Sequence, residues 1–145
     1  MSSCIQFFTE NIQYTLRNKN LLRKWICAVI LAERKSAGDI NFVFCDDEFL
    51  TEYNVKYLNH NTLTDIITFP SGDDQEIIAG EIYISLPRVR ENAVKFKVEF
   101  LNELHRVMVH GILHLLGYKD SSHGEKKQMR MKENFYLIKL SEFVL

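Results

Sequence analysis

Proline is almost missing from this chain, with two among 145 residues, and glycine is sparse at six. No Gly/Ser-rich stretch, repeat or low-complexity tract interrupts the sequence. Nothing marks a linker, and residues 1–145 read as a single domain. Cysteine is scarce and odd in number. Cys4, Cys27 and Cys45 make no C-x-x-C pair, so they fit reduced thiols in a cytosolic protein, buried as small apolar residues. Excess charge is lacking too. Basic side chains number 18 and acidic ones 19, a net charge of −1, which gives no bulk attraction to nucleic acid or membrane. A nucleic-acid partner would need a local basic patch. No apolar run approaches the ~20 residues of a membrane span. The start, MSSCIQFFTE, has no positively charged segment and meets an acid at Glu10, unlike a signal peptide. Neither DNA nor a membrane is expected as a partner, and a cytoplasmic location is.

What the chain does have is apolar residues, 46% of the total, at regular spacing. A chain of this length buries roughly two-thirds of its unfolded surface and needs no disulfide or metal to fold. CIQFF reads as a strand. LLRKWICAVILAERK, Leu21 to Lys35, has apolar residues at helical spacing and is expected to stop at Ser36-Ala37-Gly38. INFVFC, Ile40 to Cys45, reads as a strand, and Asp46 and Asp47 are candidate N-caps for a helix to about Tyr57. DIITF, Asp65 to Phe69, reads as a strand closed by the turn PSGDD. GEIYISL, Gly80 to Leu86, reads as a strand ended by Pro87. Helices are expected to about Phe96, from about Val98 to Leu116, and from about Ser122 to Leu140. Strands in the first half and helices at both ends predict an α+β fold, a small, mostly four-stranded mixed sheet packed by helices.

The segment HGILHLLGYKDSSH, His110 to His123, carries the chemistry. His110 and His114 are four apart, which on a helix places both on one face. Two such imidazoles reach one metal ion at about 2.0–2.1 Å. Gly117 falls where the helix would end in a left-handed turn, and Asp120 follows three later. This is the logic of H-E-x-x-H-x-x-G-x-x-H, with His110, His114 and Asp120 as the ligands. Three protein ligands with an open position form the catalytic arrangement for one zinc ion per chain, on a helix of the C-terminal half. The plainer alternative is two incidental histidines on a helix. In a stretch as apolar as VMVHGILHLLGY, unpaired imidazoles would be costly to bury. Gly111 stands where zinc peptidases carry their general-base glutamate, which weighs against a peptidase.

HRVMVHGILHLLGYKD resembles the signature helix of the YbeY family of bacterial rRNA-maturation endoribonucleases. LNHNTLTDIITFP is similar to that family's Leu-Asn … Thr-Asp-apolar-apolar-Ser/Thr-Phe block, and GEIYIS to its Gly-Asp/Glu-Ile-x-Ile-Ser strand. The blocks fall in the family's order, over about Asn41 to Leu137. The resemblance implies an α+β metal-dependent hydrolase, usually with zinc. It implies an enzyme that cuts single-stranded RNA, processes the 3′ end of small-subunit rRNA and serves ribosome quality control, with the ribosomal small subunit as partner.

Two departures from the family stand out. Its usual third ligand is a histidine; here that position is Asp120, and Lys119 stands where an aspartate is usual. Aspartate binds zinc at about 2.0–2.2 Å, and its negative charge would make the ion a weaker Lewis acid. His123 is the rival ligand; Asp120 is preferred because the Gly-x-x-ligand turn is kept. The family also carries an arginine shortly after Leu-Asn, in a longer loop. Here the loop is His60-Asn61-Thr62-Leu63, without that phosphate anchor. His60 is either a substitute donor or a plain surface histidine.

RNA would need basic contacts. PRVRENAVKFK offers Arg88, Arg90, Lys95 and Lys97; EKKQMRMK offers Lys126, Lys127, Arg130 and Lys132. Each set also fits an ordinary solvated helix face. No general base is identified. Glu81, in GEIYIS, is the nearest candidate by chemistry, against its reading as a solvated strand-edge carboxylate. The alternative functions are a metal-dependent hydrolase of a non-RNA substrate, such as a peptide or small ester, and a non-catalytic ribosome-associated module with a structural metal. A plain α+β domain with incidental histidines is the third.

Overall fold

Residues 4–58 and 64–144 are described by the structure, a computed structural model of the chain. The loop His60-Asn61-Thr62-Leu63 lies outside the described residues. In chain order the elements are β1 (Ile5–Glu10), α1 (Lys19–Ala32), β2 (Ser36–Cys45), α2 (Asp47–Leu58), β3 (Ile66–Pro70), β4 (Ile77–Ser85), α3 (Leu86–Phe96), α4 (Phe100–Leu115) and α5 (His123–Val144). The strands form one four-stranded sheet in the order β1-β2-β4-β3. β1 and β4 each pair with β2 in parallel, and β3 pairs with β4 antiparallel. This is the mixed, helix-packed α+β sheet that the sequence predicts. It opens with one βαβ crossover, β1-α1-β2. No helix among the described residues is long and apolar enough to cross a membrane.

Side chains alternate across a strand, and here the alternation builds two cores. Ile40, Phe42 and Phe44 of β2, with Ile82 and Ile84 of β4, join Trp25, Ile26 and Val29 of α1 and Leu104, Met108 and Ile112 of α4 in the main core. The opposite face puts Val43, Ile67 and Tyr83 under Leu50 of α2 in a smaller cluster. Asp46 caps α2 as predicted: the backbone N–H of Phe49 donates to its Oδ1 at 2.8 Å.

Two boundaries differ from the sequence reading. Ser36-Ala37-Gly38 is not a helix stop. α1 ends at Ala32, Arg34 takes a left-handed φ of 65°, and the chain enters β2 at Ser36. Ser36 and Ala37 are drawn into the sheet by pairing with Ile77 and Ile78, partners far away in sequence. For the same reason β4 begins at Ile77 rather than Gly80. At its other end β4 runs directly into α3. Ser85 is the N-cap, its Oγ accepting from the Arg88 backbone N–H at 3.4 Å, and Pro87 lies in the first turn.

Gly111 fixes how α4 sits on this sheet. A Cβ there would lie 2.9 Å from Ile82 Cγ2 and 3.0 Å from Ile66 Cδ1. Glycine lets the helix backbone press against β3 and β4. The position a zinc peptidase uses for glutamate is here a packing contact, buried and turned to the sheet.

Candidate metal centre

Helical spacing on α4 stacks His110 and His114, with ring centroids 4.6 Å apart and their Nε2 atoms 3.0 Å apart. The helix closes after Leu115. Gly117 adopts φ 105°, its N–H donates to His114 O, and the Tyr118 N–H donates to Leu113 O, both at 3.0 Å. The reversal swings Asp120 back, so that its Oδ2 lies 3.3 Å from each histidine Nε2. His110, His114 and Asp120 are the one group among the described residues whose donor atoms converge closely enough for an ion. Tetrahedral bonds of about 2.1 Å place ligand atoms about 3.4 Å apart. A triangle with sides of 3.0, 3.3 and 3.3 Å is near that size. Two imidazoles and one carboxylate are also a donor set that zinc accepts. The residues fit the group.

His123 stands apart from this convergence, and the reason is local. Ser122-His123-Gly124-Glu125 is a capping box: the Ser122 N–H donates to Glu125 Oε1 at 2.9 Å, and the Glu125 N–H donates to Ser122 Oγ at 3.1 Å. His123 is thereby fixed as the exposed first residue of α5.

Sequence reasoning missed the residues behind the centre. Glu133 of α5, only 5% exposed, accepts from His110 Nδ1 at 2.6 Å. That bond sets the tautomer and leaves the Nε2 lone pair facing the centre. Arg106 donates to Glu133 Oε1 at 2.9 Å and to Asn134 Oδ1 at 2.8 Å. Burial acts to raise the Glu133 carboxyl, but the bonds and charges of His110 and Arg106 outweigh it and hold it below its ordinary value. Burial acts to lower His110, but Glu133, then Asp120 and Asp65, raise it above the ordinary histidine value. A signal for Glu133 does exist in the sequence. Met129, Tyr136 and Leu140 are the buried stripe of α5, and Glu133 is the acid standing in that stripe.

Next to His110 and Asp120 a cleft opens, about 290 Å³ in volume, lined also by Asp65, Asn92, Glu103 and Arg130. Burial pushes the Asp65 and Glu103 carboxyls up, opposed by the charge of His110 on Asp65 and of Arg106 on Glu103. Of the two basic clusters, only Arg130 lines this cleft among the described residues; its Nη1 makes a long ion pair with Glu133 Oε1 at 3.8 Å. Arg88 is taken up by Asp47 and Glu91, and Lys132 by Glu33.

Glu81 is displaced from the role considered for it. β4 is an inner strand, so Glu81 is not at a sheet edge; Asn41 and Phe69 flank it. It shares the α2 face with Tyr83, whose hydroxyl donates to Glu81 Oε1 at 3.2 Å. Its neighbour Ile82 is the residue that meets α4, so the sheet separates Glu81 from the centre.

The sequence profile of the family described as Endoribonuclease YbeY matches residues 5–141. A protein named Endoribonuclease YbeY from Amoebophilus asiaticus is 48% identical over 134 residues, covering 92% of this chain and 91% of its own length. Its namesake from Flavobacterium psychrophilum is 51% identical over 127 residues, covering 88% of this chain and 90% of its own. Among solved structures, the solution structure of a Thermotoga maritima protein superposes with a TM-score of 0.66 at 27% identity. That match covers 94% of this chain and 88% of the other.

Proposed function

The chain belongs to the endoribonuclease YbeY family, and from that premise we propose that it is a zinc-dependent endoribonuclease of single-stranded RNA. Its task on this reading is maturation of the 3′ end of small-subunit rRNA and ribosome quality control, in the cytoplasm. The observation that carries the reading is the convergence of His110, His114 and Asp120 beside a cleft that His110 and Asp120 line together with Arg106 and Arg130. These three side chains would hold one zinc ion per chain. Bound there, the ion would act as a Lewis acid toward water and a phosphoryl oxygen.

The chain's own residues supply orientation and charge. Glu133 holds the His110 ring, and Arg106 holds Glu133. Arg130, 56% exposed at its side chain, offers a guanidinium to a phosphate entering the cleft. It takes over in kind the anchoring absent from His60-Asn61-Thr62-Leu63. Support for an open centre over a closed structural one comes from the ligand count. A closed zinc site takes four protein donors, and three converge among the described residues, with His123 tied into its capping box.

The test is zinc content per chain and cleavage of a single-stranded RNA by wild type, Asp120→Ala and His123→Ala. The expected result is near-stoichiometric zinc and activity in wild type and His123→Ala, with both lost in Asp120→Ala. Cleavage that persists in metal-free His114→Ala protein sinks the mechanism.

A further inference from the structure

The cleft beside the centre contains an acid with no task. Glu103 is 5% exposed, and its carboxylate has no hydrogen bond or ion pair among the described residues. Every fully buried side-chain oxygen or nitrogen there has a partner, so this carboxylate opens onto the cleft. Arg106, one turn away, does not neutralise it by direct contact, because its guanidinium is spent on Glu133 and Asn134. Asp65 lies on the same cleft, accepting from Asn92 Nδ2 at a long 3.4 Å. Phe96, 51% exposed at the end of α3, completes the rim.

A second cation does not account for these acids, since among the described residues only His110, His114 and Asp120 converge enough for one. Acceptors spread along a wall suit a planar edge carrying several N–H donors. A cleft of about 290 Å³ is at the small end for ligand sites, the right scale for a single base. Single-stranded RNA is read in this manner: a splayed base is stacked on an aromatic ring and hydrogen-bonded along its Watson–Crick edge. Carboxylates accept from exocyclic amines.

We propose that this cleft reads one unstacked nucleobase bearing an exocyclic amino group, with Glu103 accepting from the amine and Phe96 stacking on the ring. The base sits beside the bond to be cut, because His110 and Asp120 line the same cleft. Adenine, cytosine and guanine satisfy the site. Uracil lacks an amine, offering one N–H between two carbonyl oxygens that face the carboxylates, and is disfavoured. The inference rests on the endoribonuclease reading and adds a sequence preference to it.

The experiment measures the affinities of AMP, CMP, GMP and UMP for the zinc-loaded protein, in wild type, Glu103→Gln and Phe96→Leu. In parallel, cleavage of four RNAs that differ at one position is followed. Wild type should bind the three amino-bearing nucleotides on the order of tenfold tighter than UMP. Glu103→Gln, nearly isosteric and able to donate to a carbonyl, should bring the ratio to about one. Phe96→Leu, at an exposed site where folding is not at stake, should weaken all four together. Equal affinity for all four in wild type, no binding of any, or an unchanged ratio in folded Glu103→Gln overturns the proposal. RNA cleavage without base preference overturns the pocket and leaves the nuclease. Base-selective binding without cleavage of any RNA overturns the nuclease and leaves the pocket.

Discussion

Glu133 and His105 show what one side chain does in this fold. Glu133 stands behind the centre, and its bond to Nδ1 decides which nitrogen of His110 carries the proton. Replacing an acid behind a metal-binding histidine weakens the metal by about 10–100-fold. Glu133→Gln should therefore lower zinc affinity by that order, read by competition with a chromophoric chelator, while His123→Ala leaves it unchanged. Equal affinity in Glu133→Gln and wild type would separate Glu133 from the centre. His105, on the other side of α4, packs edge-on against Trp25 and is depressed by burial from 6.5 to about 4. The unfolded chain binds the His105 proton from pH 6.5 downward, whereas the folded chain refuses it until about 4. Its contribution to stability is complete above pH 6.5 and is lost as pH falls toward 4. The ceiling of the effect is about 3 kcal/mol, reduced by the solvent that still reaches the ring. His105→Phe should flatten the denaturation midpoint over that window relative to wild type. Parallel pH profiles for the two proteins would contradict the assignment.

At the scale of elements, α4 is the piece whose placement decides the site. Gly111 has no room for a methyl group against Ile82 and Ile66. Gly111→Ala should cost about 1–3 kcal/mol in denaturant unfolding and shift His110 and His114 on the sheet. A fully stable Gly111→Ala protein would mean that α4 is not held against Ile82 and Ile66 at this position. α4 and its closing turn are also the most legible part of the sequence. Histidines four apart, an apolar face and Gly117 are all local signals, and they bring Asp120 to His110 and His114. What local signals could not show was pairing at a distance. Ser36-Ala37-Gly38 reads as a helix stop until Ile77 and Ile78 are placed beside it. The face on which Glu81 falls depends on β4 lying between β2 and β3. Glu133 meets His110 across two helices, and only its intrusion into an apolar stripe hinted at it.

Across the whole molecule, the loop bearing Asp120 is tied to the far end of the chain's first helix. Glu33, just past α1, accepts from Tyr118 at 2.6 Å, from Lys132 at 3.1 Å and from Tyr136. Burial acts to raise its carboxyl, and the three donors together hold it below its ordinary value. Lys132 also lies over the rings of Tyr118 and Tyr136, at 5.5 and 6.0 Å. α1, the Gly117 turn and α5 thus meet at one carboxylate. Tyr118 stands two residues before Asp120, so the clamp sets the path of the chain into the centre. If it pre-orders that path, its loss must appear twice, in folding and in metal binding. Glu33→Ala strands three donors and should lower metal-free stability by about 1–3 kcal/mol. It should also weaken zinc severalfold, because binding must then order the turn. Saturating zinc, held on the proposed reading by the folded chain, would recover part of the lost midpoint by mass action. A lower midpoint with zinc affinity unchanged would show that the clamp supports the fold alone and that Asp120 finds the histidines without it.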